Sequence, residues 1–259
     1  MTLAGKHALV TGGGRGIGAA IAFALGREGA RLTLLGRDAA ELEAKAAELR
    51  AAGIEAGSAV ADVSDEGQVS TAFERARRAF GAPDILVNNA GIARSRSLLK
   101  MERAFWDEIV AVNLTGTYLC SRAAAGAMIA AGWGRIVNVA SVAGLSGGKY
   151  ISAYCASKHG VVGLTRALAI EFAGTGVTVN SVCPGFVETV LFADAVAKVG
   201  AATGRSEADA RAATLAQSLQ LRVIEPGEVA HAVLWLCGDG AGALTGQALP
   251  IEASGTVHE

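Results

Sequence analysis

The sequence predicts an α/β fold in which a parallel sheet is doubly wound and carries helices on both faces. Three observations predict it. Short aliphatic or β-branched runs alternate along the whole chain with apolar residues at helical spacing. The runs are almost continuously apolar, as strands buried on two faces must be. The first run ends in a cluster of glycines that opens directly into a helix.

Residues 6–11 (KHALVT) form the first strand, and Ile21 and Leu25 mark the buried face of the helix that follows. Residues 31–35 are the second strand. Leu42, Ala46 and Leu49 then make an i, i+4, i+7 stripe, with Gly53 as its stop. Residues 59–63 are the third strand. Asp65 and Gln68 have the spacing of a capping box, opening a helix that runs through Phe73 to Phe80 and ends at Gly81. Further strands fall at 84–88 (DILVN), 135–140 (RIVNVA), 177–182 (VTVNSV) and 248–251, with helices at 105–120, 153–171 and 226–236. No repeat, low-complexity tract or linker interrupts the pattern, so residues 1–259 are read as one domain.

Composition narrows the function. With 23 Lys+Arg against 24 Asp+Glu there is no basic stripe for nucleic acid, and with 51% hydrophobic and 18% charged residues the chain is not disordered. Cys120, Cys155, Cys183 and Cys237 lie far apart without a C-x-x-C pair, which predicts free thiols in a reducing cytoplasm. The N-terminus has no apolar signal core, and the uncharged stretch 172–187 is broken by Gly, Asn and Pro, so neither secretion nor membrane insertion is expected. His7, His231 and His258 lack ligand spacing with Cys or carboxylates, so no metal is expected, and His159, next to Lys158 but about 100° around the helix, is read as a packing or surface residue.

The glycine loop is Thr11-Gly12-Gly13-Gly14-Arg15-Gly16-Ile17-Gly18. Glycines let backbone approach a pyrophosphate, and the free N–H groups of a helix N-terminus favour its charge. No Lys-Ser/Thr pair follows, which excludes a P-loop. The strict G-x-G-x-x-G spacing fails, although Gly14, Gly16 and Ala19 fit its looser form.

The spacing Thr-Gly-x-x-x-Gly-x-Gly resembles that of the short-chain dehydrogenase/reductase family. Asn88-Asn89-Ala90-Gly91, Asn113, Ser141, Tyr154-x-x-x-Lys158 and Pro184-Gly185 follow in the family's order along essentially the whole chain. The resemblance implies a Rossmann-type single domain and an oxidoreductase that moves a hydride between a nicotinamide cofactor and a ketone or secondary alcohol. It places the cofactor against Gly12, Gly14, Arg15, Gly16, Ile17 and Gly18, against Asn89, Ala90 and Gly91, and against Pro184, Gly185, Val187 and Thr189. Asp62, with Val63 beside it, is expected at the adenine, or alternatively in a turn. Homotetramers are usual in the family, through the helices around Phe105 and Ala153.

The end of the second strand reads the adenosine ribose. A carboxylate there favours NAD(H), whereas this chain has Gly36 followed by Arg37, with Arg15 as a second cation, so NADP(H) is expected. Asp38 keeps NAD(H) open as the alternative, because a small shift would bring its carboxylate to a ribose hydroxyl.

Tyr154 and Lys158 are four apart in a helical stretch and share one face. A phenol titrates near ~10, and lowering that by about three units requires roughly 4 kcal/mol of differential stabilisation, for which a neighbouring ammonium and an oxidised nicotinamide are suited. In this reading Tyr154 is the general acid, Ser141 hydrogen-bonds the developing alkoxide, and Lys158 lowers the phenol and holds the nicotinamide ribose. The resemblance gives Asn113 a water that relays protons to Lys158; its plainer reading is a buried Asn bonded to nearby backbone.

Substrate recognition is expected from the loops 93–100 and 142–152 and from an Ala-rich lid at 186–222 with breaks at Gly200 and Gly204. Tyr150 is a candidate for the pocket wall. Arg94, Arg96, Lys100 and Lys149 suit an anionic thioester, on CoA or a carrier protein, or are ordinary solvated charges. The stretch 179–189 and Leu244-Thr245-Gly246-Gln247-Ala248 resemble 3-oxoacyl and polyketide ketoreductases, although Ala253-Ser254 stands where the family usually has Gly-Gly. Two alternatives are an NAD-dependent secondary-alcohol or 3-hydroxyacyl dehydrogenase working oxidatively, and a non-catalytic NADP-binding scaffold or sensor.

Overall fold

The computed structural model describes residues 2–216 and 220–253. Ser254 and His258, and residues 217–219 of the expected lid, lie outside them. Seven strands form one parallel sheet in the order β3-β2-β1-β4-β5-β6-β7. They are β1 (His7–Thr11), β2 (Arg31–Gly36), β3 (Ala56–Val60), β4 (Ile85–Asn88), β5 (Gly134–Val139), β6 (Val177–Pro184) and β7 (Ala248–Ile251). The helices are α1 (Gly16–Arg27), α2 (Ala39–Ala51), α3 (Glu66–Phe80), α4 (Arg103–Val110), α5 (Gly116–Ala131), α6 (Ser152–Glu171), α7 (Val190–Thr203), α8 (Glu207–Ala216) and α9 (Pro226–Cys237).

Alternate strand residues serve opposite faces. Ala8, Val10, Leu32, Leu34, Val87 and Val137 join Ile21, Leu25, Leu42, Leu49, Val229 and Val233 in one core layer, under α1, α2 and α9. Leu9, Leu35, Leu86 and Ile136 join Val69, Phe73, Leu119, Met128 and Phe172 in the other, under α3, α5 and α6. The strand order reverses between β1 and β4, which opens a crevice at their carboxyl ends.

Most elements fall within a residue or two of their sequence-based positions, with three corrections. The third strand is not at 59–63 but at Ala56–Val60. Ala61 N bonds Gly36 O at 2.8 Å, and the chain then turns on Asp62, whose Oδ1 accepts from Ser64 N at 2.9 Å and Ser64 Oγ at 2.6 Å. That turn removes Asp62 and Val63 from the ladder. The helix expected at 105–120 is two helices joined by one π turn, Ala111–Thr115. Asn113 sits in that turn and bonds away from the helix, and Thr117 Oγ1 donates to Asn113 O at 2.8 Å. Finally, Gly200 does not break the lid: α7 runs through it and ends at Gly204, in the left-handed region at φ 68°.

Candidate active site

The glycine loop leaves β1 at Thr11 and is fixed from β4. Thr11 Oγ1 accepts from Asn89 N and Ala90 N, each at 2.9 Å, and Asn89 Nδ2 donates to Thr11 O at 2.9 Å and Gly12 O at 3.1 Å. The Asn89 side chain therefore shapes the cradle from behind. A Cβ on Gly18 would lie 2.1 Å from Gly12 O, and one on Gly12 would lie 2.9 Å from Asn89 Nδ2 at a φ of 63°. Only glycine fits at either position. Arg15 is the N-cap of α1, and no side chain caps that helix, so its first-turn N–H groups at Gly16, Ile17 and Gly18 have no side-chain acceptor. A cradle of this shape at an open helix N-terminus fits a pyrophosphate. Gly14 is buried beneath Glu41, and Ile17 packs on the core layer under α1.

The adenosine end is more crowded with charge than the sequence implied. Arg37 Nη1 lies 3.8 Å from Asp62 Oδ2, and Arg15 Nη1 lies 3.3 Å from Glu41 Oε2. Asp38 is the N-cap of α2, accepting from Ala40 N and Glu41 N at 3.0 Å each. That bond holds its Oδ1 to the helix and weakens the case for a ribose contact. Val63 is buried, and a Cβ on Gly116 would meet its Cγ2 at 2.7 Å, so the Val63 side chain belongs to the core.

Ser141 ends the chain segment after β5 and is hydrogen-bonded to the Tyr154 hydroxyl; its Oγ also accepts from Ala143 N at 3.1 Å. Lys158 is one turn along α6, 5% exposed, with Nζ 5.8 Å from the Tyr154 ring centre. Nζ donates to Val139 O at 2.8 Å. A Cβ on Gly91 would lie 3.6 Å from the same nitrogen, so the ammonium stands by the carboxyl ends of β4 and β5, beside the crevice.

The electrostatics of the protein alone set the resting state of the pair. Burial pushes the Tyr154 phenol up from its ordinary value, and the hydrogen bond from Ser141 pulls it only partly back. The protein alone does not lower the phenol; the lowering expected from the sequence included an oxidised nicotinamide beside the ammonium. Burial also brings Lys158 down to about 8. The resting pair is thus a neutral phenol beside an ammonium.

Asn113 is fully buried. Its Oδ1 accepts from Ile92 N at 2.8 Å, and its Nδ2 donates to Ile92 O at 3.0 Å and Ser157 Oγ at 3.0 Å. Ser157 Oγ in turn donates to Tyr154 O at 2.8 Å. Asn113 therefore bolts the loop after β4 to α6. The backbone it bonds is not in its own helix, as the plainer reading held, but lies 21 residues away. Ser157, the residue that completes this link, was not singled out in the sequence; its place one step before Lys158 on the buried face of α6 was the available signal.

Pro184 closes β6 and Gly185 N bonds Ile251 O at 2.9 Å. Val187 is buried and pairs with Ile224, whereas Thr189 stands beside the glycine loop: a Cβ on Gly16 would lie 3.4 Å from its Cγ2. The base of the segment 186–222 is pinned by Gln220, also not foreseen, whose Oε1 accepts from Phe186 N at 2.7 Å and whose Nε2 donates to Phe186 O at 2.9 Å. Phe192, Val196 and Ala210 give the segment a small core of its own.

At the crevice mouth the guanidiniums of Arg94 and Arg96 lie 5.4 and 5.5 Å from the Phe105 ring centre, and Arg94 also pairs with Glu108. Tyr150 is exposed and held at a φ of 66°, unusual for a side chain of its size; its carbonyl accepts from Arg96 N at 2.7 Å. His159 is exposed and bonds Cys155 O, while His7 is buried between Gly81 and Thr33, outside the crevice. Among the described residues no group of three or more His, Cys, Asp or Glu side chains is arranged to hold a metal, and no helix is long and apolar enough to cross a membrane. The four cysteines are free.

Residues 6–200 match the family described as short chain dehydrogenase. The chain is a short-chain dehydrogenase. As a member of that family it is an oxidoreductase. It is 40% identical to the 3-oxoacyl-(acyl-carrier-protein) reductase FabG of Pseudomonas aeruginosa over 97% of both chains. It is 36% identical to the D-beta-hydroxybutyrate dehydrogenase of Rhizobium meliloti over 98% of this chain and 99% of that one. A solved structure of an actinorhodin polyketide ketoreductase variant with NADPH superposes with a TM-score of 0.92, at 39% identity and 96% coverage of each chain.

Proposed function

We propose that this dehydrogenase reduces the ketone of a 3-oxoacyl thioester, or a polyketide-type ketone, with NADPH. The observation that carries the reading is the Ser141–Tyr154–Lys158 group at the crevice, with the phenol held in its proton-donating form. The relatives named for 3-oxoacyl and polyketide ketone reduction support the substrate class, and the NADPH in the ketoreductase structure supports the cofactor.

Bound NADPH supplies the hydride. Tyr154 delivers its proton to the oxygen of the reduced carbon, and Ser141 holds that oxygen by a hydrogen bond that strengthens as charge develops. Lys158 keeps a positive charge beside the phenol and, once the proton has left, stabilises the phenolate. Asn113 and Ser157 fix the pitch of α6 on which both groups ride. Gly12, Gly14, Gly16, Ile17, Gly18, Ala90 and Gly91 would line the cofactor, with Arg15 and Arg37 at the 2′-phosphate, Asp62 near the adenine, and Pro184, Gly185, Val187 and Thr189 over the nicotinamide.

The residues 1–259 act as one catalytic domain with 186–222 as its lid, pinned at Gln220. Arg96, Lys100 and Lys149 are exposed at the mouth without a carboxylate partner among the described residues and suit the phosphates of CoA or a carrier-protein arm. Exposed Trp106 and Tyr118 on α4 and α5, and Ile170 on α6, suit burial between subunits of a homotetramer. Free thiols, buried at Cys120, Cys183 and Cys237, suit the cytoplasm.

The test is a steady-state assay with NADPH and NADH across acetoacetyl-CoA, a cyclic ketone and an aromatic ketone. The expected result is NADPH-dependent turnover, highest on the thioester. Preference for NADH, with turnover mainly in the direction of alcohol oxidation, would overturn it.

A further inference from the structure

We propose that Glu41 is a resident counter-ion for Arg15 that the 2′-phosphate of NADPH displaces, so that Glu41 limits how strongly the enzyme prefers NADPH over NADH. The inference rests on the placement of that phosphate by Arg15 and Arg37 given above.

The helix beside the ribose pocket offers the phosphate little. Asp38 already occupies the N–H groups of Ala40 and Glu41 at the start of α2, so recognition falls to the two guanidiniums. Both are paired. The pairs differ in how firmly the carboxylate is held. Asp62 is anchored by Ser64 N at 2.9 Å and Ser64 Oγ at 2.6 Å, and stays where it is when Arg37 turns to another anion. Glu41 has Arg15 as its ion pair at 3.3 Å and no anchoring hydrogen bond to its carboxylate among the described residues.

Its carboxylate also leans over the loop itself: a Cβ on Gly14 would lie 2.6 Å from Glu41 Oε1. An anion that takes Arg15 must therefore push a negative charge off the rim of the cradle and then coexist with it nearby. A phosphate near neutral pH carries close to two charges and outcompetes one carboxylate for a guanidinium. The remaining repulsion acts on the phosphate of NADPH and not on the neutral 2′-hydroxyl of NADH. Glu41 is exposed enough to swing, with about a third of its side chain accessible (34%), and Arg15 is more so (71%).

The experiment is isothermal titration of the full-length protein and of Glu41→Gln with adenosine 2′,5′-bisphosphate and with adenosine 5′-monophosphate. These ligands isolate the 2′-phosphate and need no turnover. Glu41→Gln is expected to tighten the bisphosphate on the order of tenfold and to change the monophosphate by less than about twofold. An unchanged or weakened bisphosphate affinity in Glu41→Gln overturns the inference, because the carboxylate is then a bystander or a positioner of Arg15. Arg15→Gln and Arg37→Gln, titrated in parallel, separate the two readings. If they weaken the bisphosphate selectively while Glu41→Gln does nothing, the phosphate placement stands and the counter-ion role fails; if they do not, the placement fails with it.

Discussion

Lys158 directs its Nζ to the carbonyl of Val139, at 2.8 Å. The bond ties the catalytic helix α6 to the end of β5 and fixes a buried ammonium within 5.8 Å of the Tyr154 ring. Desolvation is why that ammonium sits at about 8 and not at the ordinary lysine value.

A pH profile follows from this. Below about 8 Lys158 is charged in the free enzyme, and above it the charge is lost. kcat/KM for ketone reduction is expected to fall about tenfold per unit as pH rises through that value. Lys158→Arg, which stays protonated, should lose the limb even if its plateau is lower. A wild-type profile flat to pH 9.5 would contradict the assignment.

Tyr154→Phe removes the donor and leaves the ring in place. Turnover should drop by about two to four orders of magnitude, while NADPH affinity, read by fluorescence titration, stays within about twofold. Near-normal turnover would take the acid role away from Tyr154.

Asn113→Ala would remove the partner of the N–H and C=O of Ile92 at a partly buried site, and one of the two bonds of the Ser157 hydroxyl. Unsatisfied buried groups destabilise by about 1–3 kcal/mol each, so the urea midpoint should fall by an amount equivalent to several kcal/mol. Ser157→Ala breaks one of these bonds and the bond to Tyr154 O, leaves both Ile92 bonds in place, and should cost less. Equal losses would show that the bolt does not run through Ile92.

His7 predicts an acid-sensitive fold. It is buried against Phe80, with Nδ1 2.8 Å from Gly81 O and Nε2 2.9 Å from Thr33 Oγ1. Burial lowers it from 6.5. The unfolded chain therefore takes up a proton that the folded one resists, and stability falls as pH drops below about 6.5, by at most ~1.4 kcal/mol per unit. Denaturant melts at pH 7, 6 and 5 should show that decline, and His7→Gln should flatten it.

The sequence made legible the features that depend on local spacing. The alternation of strands and helices, the caps at Asp65 and Gly81, and the stripe Leu42–Ala46–Leu49 depend on neighbours within a turn or two, and they stand where expected. Tyr154, Lys158 and Ser141 converge because one helix and one strand end supply all three. What stayed hidden depends on partners distant in the chain. The π turn at Asn113 arises from a bond to Ile92, and the pinning of the lid from Gln220 reaching Phe186 34 residues back. The third strand was displaced because its apolar run continues through Val63, whereas the backbone turns on the Asp62–Ser64 bonds. The upward push of burial on Tyr154 in the protein alone was not legible, because spacing reveals a neighbouring charge and not the depth of burial.

The hydroxyl of Thr11 receives its two N–H bonds from residues 78 and 79 positions further along the chain. The cradle is therefore complete only once the segment after β4 lies beside β1. Its glycines can be synthesised, and β1 can pair with β2, while the loop still has no fixed shape. Closing so long a segment opposes the contact entropically until β4 docks beside β1. Cofactor affinity should then emerge in a single step with the docking of β4, and refolding followed by NADPH fluorescence would time the closure of the sheet's centre and not its first strands.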